Sequence, residues 1–287
     1  MTPSPAPSTI AARRRAFRDL HATGCFVIPN PWDAGSARYL ASLGFKALAS
    51  TSSGFAWSHA HADGAMPRDA VLAHLREIVA ATDLPVNADF ESGYGADAPA
   101  VAESVRLAVA TGVAGLSIED STGDPDQPIH DLPTAVARLR AAREAIAASG
   151  GDTLLVGRAE NYLHGRPDLA DTIARLRAYA EAGADCLYAP GLKSRDDIAA
   201  VVAAVAPKPV NLLVGGTSEL TLADIAALGV RRVSVGGGLA RSAWAGFMHA
   251  AQALAGQGVF DGFAGAASGA ELNALFRADT PDANGPR

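Results

Sequence analysis

The chain is poor in the residues that most often announce a chemistry. Among its 287 residues it has two cysteines, Cys25 and Cys186. Each lies in an apolar strand-like run, with no CxxC partner and no histidine beside it. That pattern excludes a disulfide framework and a thiolate metal cluster, and it reads as two buried, reduced thiols. Neither GxSxG nor HExxH occurs, so a serine-hydrolase elbow and a zincin helix are both missing. No run of Lys or Arg exceeds the three residues Arg13-Arg14-Arg15, and the net charge is −6. Both facts weigh against nucleic acid and anionic membrane as partners, and an anionic substrate would need a local cation. No apolar run approaches the roughly 20 residues of a membrane span. The opening segment, MTPSPAPSTIAARRRAF, lacks the apolar centre of a signal peptide. The expectation is a cytoplasmic protein. Aromatic residues are scarce while Ala and Gly are abundant, which suits helices lying close on a sheet.

What the chain does have is one pattern repeated: a short β-rich run, a polar loop, then an amphipathic helix. Strand-like runs fall at Cys25–Pro29, Ala47–Ser50, Pro85–Asp89, Gly115–Ile118, Leu154–Gly157, Cys186–Ala189, Val210–Val214 and Arg232–Val235. They are nearly continuous in hydrophobicity, as in strands covered on both faces. Helical spacing follows at Asp33–Leu43, Arg68–Ala81, Ala98–Ala110, Pro133–Ala148, Leu169–Ala182, Arg195–Val205, Leu222–Leu228 and Ala240–Ala255, with Gly112, Gly183 and Gly229 where helices should stop. Eight βα units in series predict an α/β protein, a closed (β/α)8 TIM barrel. A doubly wound open sheet would carry a glycine fingerprint after its first strand, and VIPNPWDAG is not one. The domain reading is a disordered lead over 1–8, a barrel over 9–256, and a tail over 257–287. That tail comprises a Gly-rich connector, a short helix at Ala270–Phe276 and a disordered end.

In a barrel the site is built where strands end. The third strand ends in Asp89-Phe90-Glu91-Ser92-Gly93-Tyr94-Gly95, the fourth in Glu119-Asp120 and the fifth in Arg158-Ala159-Glu160-Asn161. Asp89, Glu91 and Glu119 are expected to converge, and three neighbouring carboxylates repel unless a positive charge sits among them. A hard divalent cation, Mg2+ or Mn2+, fits oxygen ligands of this kind; salt bridges and helix caps are the competing use. Asp63, in the loop after strand two, is either a fourth acid or a turn former. Arg158 suits a carboxylate or phosphate, or else bridges to Glu160 or Glu119. The backbone of Ser53-Gly54-Phe55 is either an anion cradle or a plain tight turn. Asn211, at the start of strand seven, is a further candidate to bind substrate. His59 and His61, in a loop, read as solvated.

Several segments resemble the isocitrate lyase/phosphoenolpyruvate mutase superfamily: NPWDAGSARYLASLGFKALASTSSGFA, DFESGYG, GVAGLSIEDS, VGRAENYLHG and RLRAYAEAGADCLYAPG. The resemblance runs over nearly the whole chain. It implies Asp89 as the direct metal ligand, with Glu91, Glu119 and Asp63 holding Mg2+ largely through water. It implies Ser53, Gly54 and Phe55 around a substrate carboxylate, and Arg158 and Glu119 in catalysis. The implied chemistry is C–C or P–C bond cleavage or formation on small 2-oxo or 2-hydroxy acids through an enolate stabilised by the metal. Members are usually tetramers whose last helix packs on a neighbour's barrel, so a homo-oligomer with an extra, swapped C-terminal helix is expected.

The sequence also departs from that family. Lyases of the family carry a catalytic Cys in a Lys-Lys-Cys-Gly-His loop after strand four; here the loop reads Glu119-Asp120-Ser121-Thr122-Gly123-Asp124-Pro125-Asp126-Gln127. The Lys and Asn of the mutase branch are missing too. Glu91 stands where Asp is usual, and Pro190 is followed by Gly191 where the lyases have Glu. The reading is a lyase or decarboxylase acting on a 2-oxo or 2-hydroxy (di)carboxylic acid. A phosphonate P–C mutase or hydrolase, a barrel that binds a 2-oxo acid without turnover, and a phosphate site at Gly215-Gly216 and Gly236–Gly238 are the alternatives.

Overall fold

A computed structural model describes residues 9–277. The lead expected over 1–8 and the end of the expected tail, 278–287, lie outside the described residues. Eight parallel strands form one sheet in the order β1-β8-β7-β6-β5-β4-β3-β2: β1 (Phe26–Ile28), β2 (Leu48–Ala49), β3 (Val86–Asp89), β4 (Gly115–Glu119), β5 (Leu154–Arg158), β6 (Cys186–Tyr188), β7 (Val210–Leu213) and β8 (Arg232–Ser234). Every expected strand is found. β1 pairs in register with β8, Phe26 opposite Arg232, which closes the sheet on that side. Between β1 and β2 the ladder is thin. Pro29 and Pro31 have no N–H to give, and the seam is held by the Ala49 N–H on the Pro29 carbonyl at 3.1 Å and by the Asn30 amide on the Ser50 carbonyl at 2.9 Å.

The helices are α1 (Ile10–Ala22), α2 (Ala34–Ser42), α3 (Ser52–Ser58), α4 (Arg68–Ala80), α5 (Ala98–Val109), α6 (Leu132–Ala148), α7 (Leu169–Glu181), α8 (Arg195–Val205), α9 (Leu222–Ala227), α10 (Gly238–Gln257) and α11 (Gly269–Arg277), with a 3-10 turn at Asp261–Phe263. Short polar residues set their starts. Asp33, Asp97, Asp131, Asp168, Ser194 and Thr221 each accept a backbone N–H of the first turn, which satisfies one of the orphan donors there. Gly183 (φ 103°) and Gly229 (φ 88°) end α7 and α9 in the left-handed region, where a side chain would be strained.

Two features depart from the expected pattern. Ser53-Gly54-Phe55, open between an anion cradle and a tight turn, lies instead within α3. Its first turn is capped by Thr51, whose hydroxyl accepts the Gly54 N–H, so the Ser-Ser-Gly run is a helix start. The other departure is Cys25, which is only partly buried, whereas Cys186 is fully enclosed. The interior has two halves. Its lower half is apolar and is plugged by α1, whose fully buried Phe17 clusters with Ile28, Ala47, Ala114, Leu154, Val156 and Cys186. Arg14 fastens α1 to the carbonyls of Val113 (3.1 Å) and Val109 (2.9 Å). The upper half, toward the strand ends, is polar.

At the far end of the chain, α10 buries only Ala240 and leaves Trp244, Phe247 and Met248 exposed. The expected extra helix is α11. It lies on α2 of its own chain, with the Arg38 guanidinium on the Phe276 carbonyl at 3.1 Å. No helix among the described residues is long and apolar enough to cross a membrane.

If the Phe17 plug closes the barrel floor, Phe17→Ala should lower unfolding free energy by about 3–5 kcal/mol. Denaturant titration followed by circular dichroism measures it; a loss under about 1 kcal/mol would show that α1 packs without sealing the interior.

Candidate active site

One row of cross-strand partners is made of polar side chains throughout. Glu119 stands opposite Arg158, Arg158 opposite Tyr188, Tyr188 opposite Asn211, and Asn211 opposite Arg232. Directly paired residues share a face, so the row turns Glu119, Arg158, Tyr188, Asn211 and Arg232 inward together. Asp89 reaches the same space from the last position of β3. The turn beyond it is strained: Glu91 (φ 45°) and Tyr94 (φ 50°) are left-handed without being glycine. Such residues cost about 1–3 kcal/mol each and persist where the surroundings over-determine them. Here the Tyr94 hydroxyl donates to Glu91 Oε1 at 2.6 Å, and the Glu119 N–H donates to the Glu91 carbonyl at 3.0 Å.

Arg158 is the hub. Its Nη1 lies 3.2 Å from Asp89 Oδ1 and 3.1 Å from Glu119 Oε2. Its Nε donates to Glu160, and its guanidinium sits over the Tyr188 ring, 5.1 Å from the centroid. The second oxygen of Asp89 accepts the Ser52 N–H at 3.0 Å, from the first residue of α3. Asp89's own N–H is held by Ser50 Oγ at 2.9 Å. Of these groups Ser50, Ser52, Asp89, Arg158 and Tyr188 line a cavity of about 180 Å3, together with Ser53 and Asp63 among others, whereas Glu119 and Glu160 touch Arg158 without lining it. Behind the hub, buried Asp120 accepts from the Glu160 N–H (2.8 Å), Arg175 (2.9 Å) and the Tyr179 hydroxyl (2.6 Å), which fixes the end of β5.

Acid outnumbers base here. Asp63, Asp89, Glu91, Glu119 and Glu160 surround one guanidinium, and the carboxyls respond. Burial pushes Glu91 up to about 7, with the charges of Asp89 and Asp63 adding to it. Burial likewise raises Glu119 well above its usual range, reinforced by Glu160, Asp89 and Glu91 and opposed by Arg158. Asp63 sits on an exposed loop, yet loss of water around its carboxyl and the nearby charge of Asp89 raise it as well. Arg158 is disfavoured by burial, but Glu119 and Glu160 hold it protonated.

The expected site residues meet only in part. Asp89, Glu119 and Arg158 come together; Arg158 bridges to Glu119 and Glu160, and it also lines the cavity. Glu91 is turned aside to Tyr94 and lies behind Asp89, while Asp63 overhangs the mouth. Ser53 lines the cavity. Gly54 and Phe55 do not, because their N–H groups are spent on the Thr51 hydroxyl and carbonyl. Gly54 is there for room: a Cβ would come within 2.7 Å of Thr51, 2.9 Å of Trp32 and 3.2 Å of Ala240. Asn211 also fails to reach the cavity. Its amide donates to Ser234 Oγ at 2.9 Å and accepts from Arg232 at 2.8 Å, so it organises the wall. Ser50, Ser52, Tyr188 and Arg232 escaped the sequence reading; the inward register of the strand ends is the signal that would have found them.

The acids fit a hard divalent cation in one respect. Carboxyls that burial and mutual repulsion push toward protonation are those that gain most from an added positive charge. Among the described residues, no group of three or more Asp, Glu, His or Cys side chains is arranged to hold an ion by itself. The fit is therefore to an ion with few protein ligands and several waters, as Mg2+ prefers.

The same repulsion has a cost in a metal-free protein. Glu91 is raised from 4.5 to about 7 in the fold, so the fold favours its protonated form. Stability is then lost as pH climbs from about 4.5 toward 7, by at most about 3 kcal/mol, and is flat for this group above that. In chelated buffer, Glu91→Gln should gain on the wild type across that window in thermal or urea unfolding. Parallel profiles for the two proteins would remove the buried charge from Glu91.

Similarity to known proteins agrees with this geometry. A crystal structure from Burkholderia cenocepacia J2315, provisionally described as a lyase/mutase, is 50% identical, covers 94% of this chain and 98% of its own, and superposes with a TM-score of 0.91. The oxaloacetate decarboxylase of Paraburkholderia xenovorans is 31% identical over 77% of this chain and 74% of its own. A structure of oxaloacetate acetylhydrolase with its product oxalate is 26% identical over 93% of this chain and 95% of its own, at a TM-score of 0.80. The family model for phosphoenolpyruvate phosphomutase matches residues 17–255. Because that match runs from α1 into α10 and takes in every strand end described above, the chain belongs to the phosphoenolpyruvate phosphomutase family, within the PEP mutase/isocitrate lyase superfamily.

Proposed function

We propose that this enzyme is a cytoplasmic lyase for small 2-oxo or 2-hydroxy acids, and foremost a decarboxylase of a 2-oxo dicarboxylate, dependent on Mg2+ or Mn2+. The observation that carries this is Asp89 held between the Arg158 guanidinium and the Ser52 N–H on the cavity wall. The related oxaloacetate decarboxylase and acetylhydrolase support the substrate class.

Arg158 would bind the substrate carboxylate and stay charged throughout, with Ser53 beside it. Asp89 would be the direct ligand of the ion, and Asp63, Glu91 and Glu119 would hold its waters. The ion, when bound, supplies a Lewis acid where negative charge develops on the 2-oxo oxygen. Loss of CO2 needs no proton at the bond that breaks, which suits a loop after β4 with neither Cys nor Lys. The remaining carbanionic carbon then needs one proton. Tyr188 is the neutral donor on the cavity wall: burial pushes its hydroxyl up to about 12, although Arg158 pulls the other way. A phosphonate P–C reaction is the second reading, favoured by the family match itself. The exposed Trp244, Phe247 and Met248 on α10 support a homo-oligomer, with a neighbouring copy covering that face.

The test is a panel of 2-oxo and 2-hydroxy diacids and phosphonopyruvate, incubated with Mg2+ and followed by NMR. At least one diacid should give a 2-oxo monoacid with CO2, and Arg158→Ala should weaken its binding by about 2–4 kcal/mol. A panel in which only phosphonopyruvate reacts would shift the assignment to the second reading. One in which nothing reacts, with Arg158→Ala binding unchanged, would reject the site.

A further inference from the structure

Arg232 has no place in the account so far, and its surroundings are unusual. It is 3% exposed and lies on the inward row of β8. The buried Arg14, Arg158 and Arg175 each pair with a carboxylate, and Arg138 is spent on the carbonyls of Ser92 and Gly95. Arg232 meets no acid among the described residues. Its Nε donates to Asn211 Oδ1 at 2.8 Å. Its Nη1 has only long contacts, 3.4 Å to Asn87 Oδ1 and 3.5 Å to His21 Nε2.

His21 cannot neutralise it. The His21 Nδ1 faces the Phe17 carbonyl at 2.7 Å, so that nitrogen carries the proton and Nε2 only accepts. Burial and the Arg232 charge together hold the ring neutral, lowered to about 3. Nη2 has no acceptor among the described residues and is not sealed away from the cavity that Arg232 helps to line.

A buried guanidinium without a counter-charge is costly, and this one faces the same cavity as Arg158 and Asp89. Arg158 and Arg232 stand three strands apart on one register row, roughly 14 Å along the curved wall at the usual strand spacing. Two long side chains pointing inward from that separation can both meet one small ligand. Between them the row supplies neutral hydrogen-bonding groups, Tyr188 and Asn211, the latter fixing the Arg232 Nε. The cavity is therefore acidic beside Arg158 and cationic at Arg232.

We infer that Arg232 is a second anion-binding point, which takes the distal anionic group of a dianionic 2-oxo acid, a carboxylate or a phosphonate, while Arg158 takes the first. This rests on the 2-oxo acid reading above and narrows it to substrates with two anionic groups. It also explains why Asn211 is tied up in the wall, since it holds Arg232 in place and does not touch the ligand.

The test compares dissociation constants, by calorimetry in Mg2+ buffer, for pyruvate, phosphonopyruvate and 3,3-difluorooxaloacetate. The proteins are the wild type, Arg232→Met and Arg232→Lys, each checked for its fold by circular dichroism. The wild type should bind at least one dianion about 100-fold more tightly than pyruvate. Arg232→Met should erase that preference and leave pyruvate within about threefold, and Arg232→Lys should keep most of it. Which dianion shows the preference tells carboxylate from phosphonate. Equal loss for all three ligands would mean that Arg232 merely supports the wall, and no preference in the wild type would also overturn the inference. Should Arg232→Met not fold, a wild-type preference that survives in Arg232→Lys supports the assignment, and its absence in the wild type rejects it. A wild type that binds none of the three would remove the proposed function itself, and the second anion point with it.

Discussion

A single guanidinium holds the strand ends of this barrel together. Arg158 joins Asp89 of β3, Glu119 of β4 and Glu160 just past β5. The three acids repel one another, and the guanidinium between them offsets part of that repulsion. The charge does not balance, because Glu91 and Asp63 add to the acid side. Evolution of a stable protein alone would replace such a cluster with apolar residues, since buried ion pairs seldom beat well-packed hydrophobic ones. The excess of acid makes sense as a receptor for a cation that arrives with, or before, an anionic substrate.

The scaffold supports that imbalance by separating two environments along the barrel axis. Below, Phe17 and its apolar neighbours form a sealed floor. Above, one register row from β4 to β8 sets two neutral polar groups between charged ones: Glu119 and Arg158, then Tyr188 and Asn211, then Arg232. Because a one-residue slip would turn the whole row outward, the apolar floor fixes the chemistry above it. The strained turn at Glu91 and Tyr94 and the buried Asp120–Arg175–Tyr179 set hold the loops to this frame.

Much of this was legible in the residue order. The eight β-rich runs, the helical spacing between them and the glycines at helix ends gave the barrel, since these signals are local. Asp89, Glu119 and Arg158 were legible because a barrel places its chemistry at strand ends. What was not legible depended on register between strands. Asn211 looked like a ligand from its position in β7, but only the neighbouring Arg232 shows that its amide is used in the wall. Ser53-Gly54-Phe55 was open between an anion cradle and a tight turn; the close neighbours Trp32 and Ala240 show the room that only a glycine at 54 leaves. Thr51 converts Ser52-Ser53-Gly54 from a turn into a helix start through one side-chain hydrogen bond, a choice that composition does not reveal. Arg232 sits inside a strand, where an arginine reads as an exposed residue until the pairing turns it inward.

The central claim is that the strand-end acids carry more negative charge than Arg158 can balance and so recruit a cation. Calorimetric titration of the protein with Mg2+ near pH 6.5, in buffers of different ionisation enthalpy, measures this directly. The account predicts saturable binding that releases protons, roughly one per ion at most, as the raised carboxyls are drawn into ionisation. Saturable binding with no proton release, or no binding at all, would contradict it.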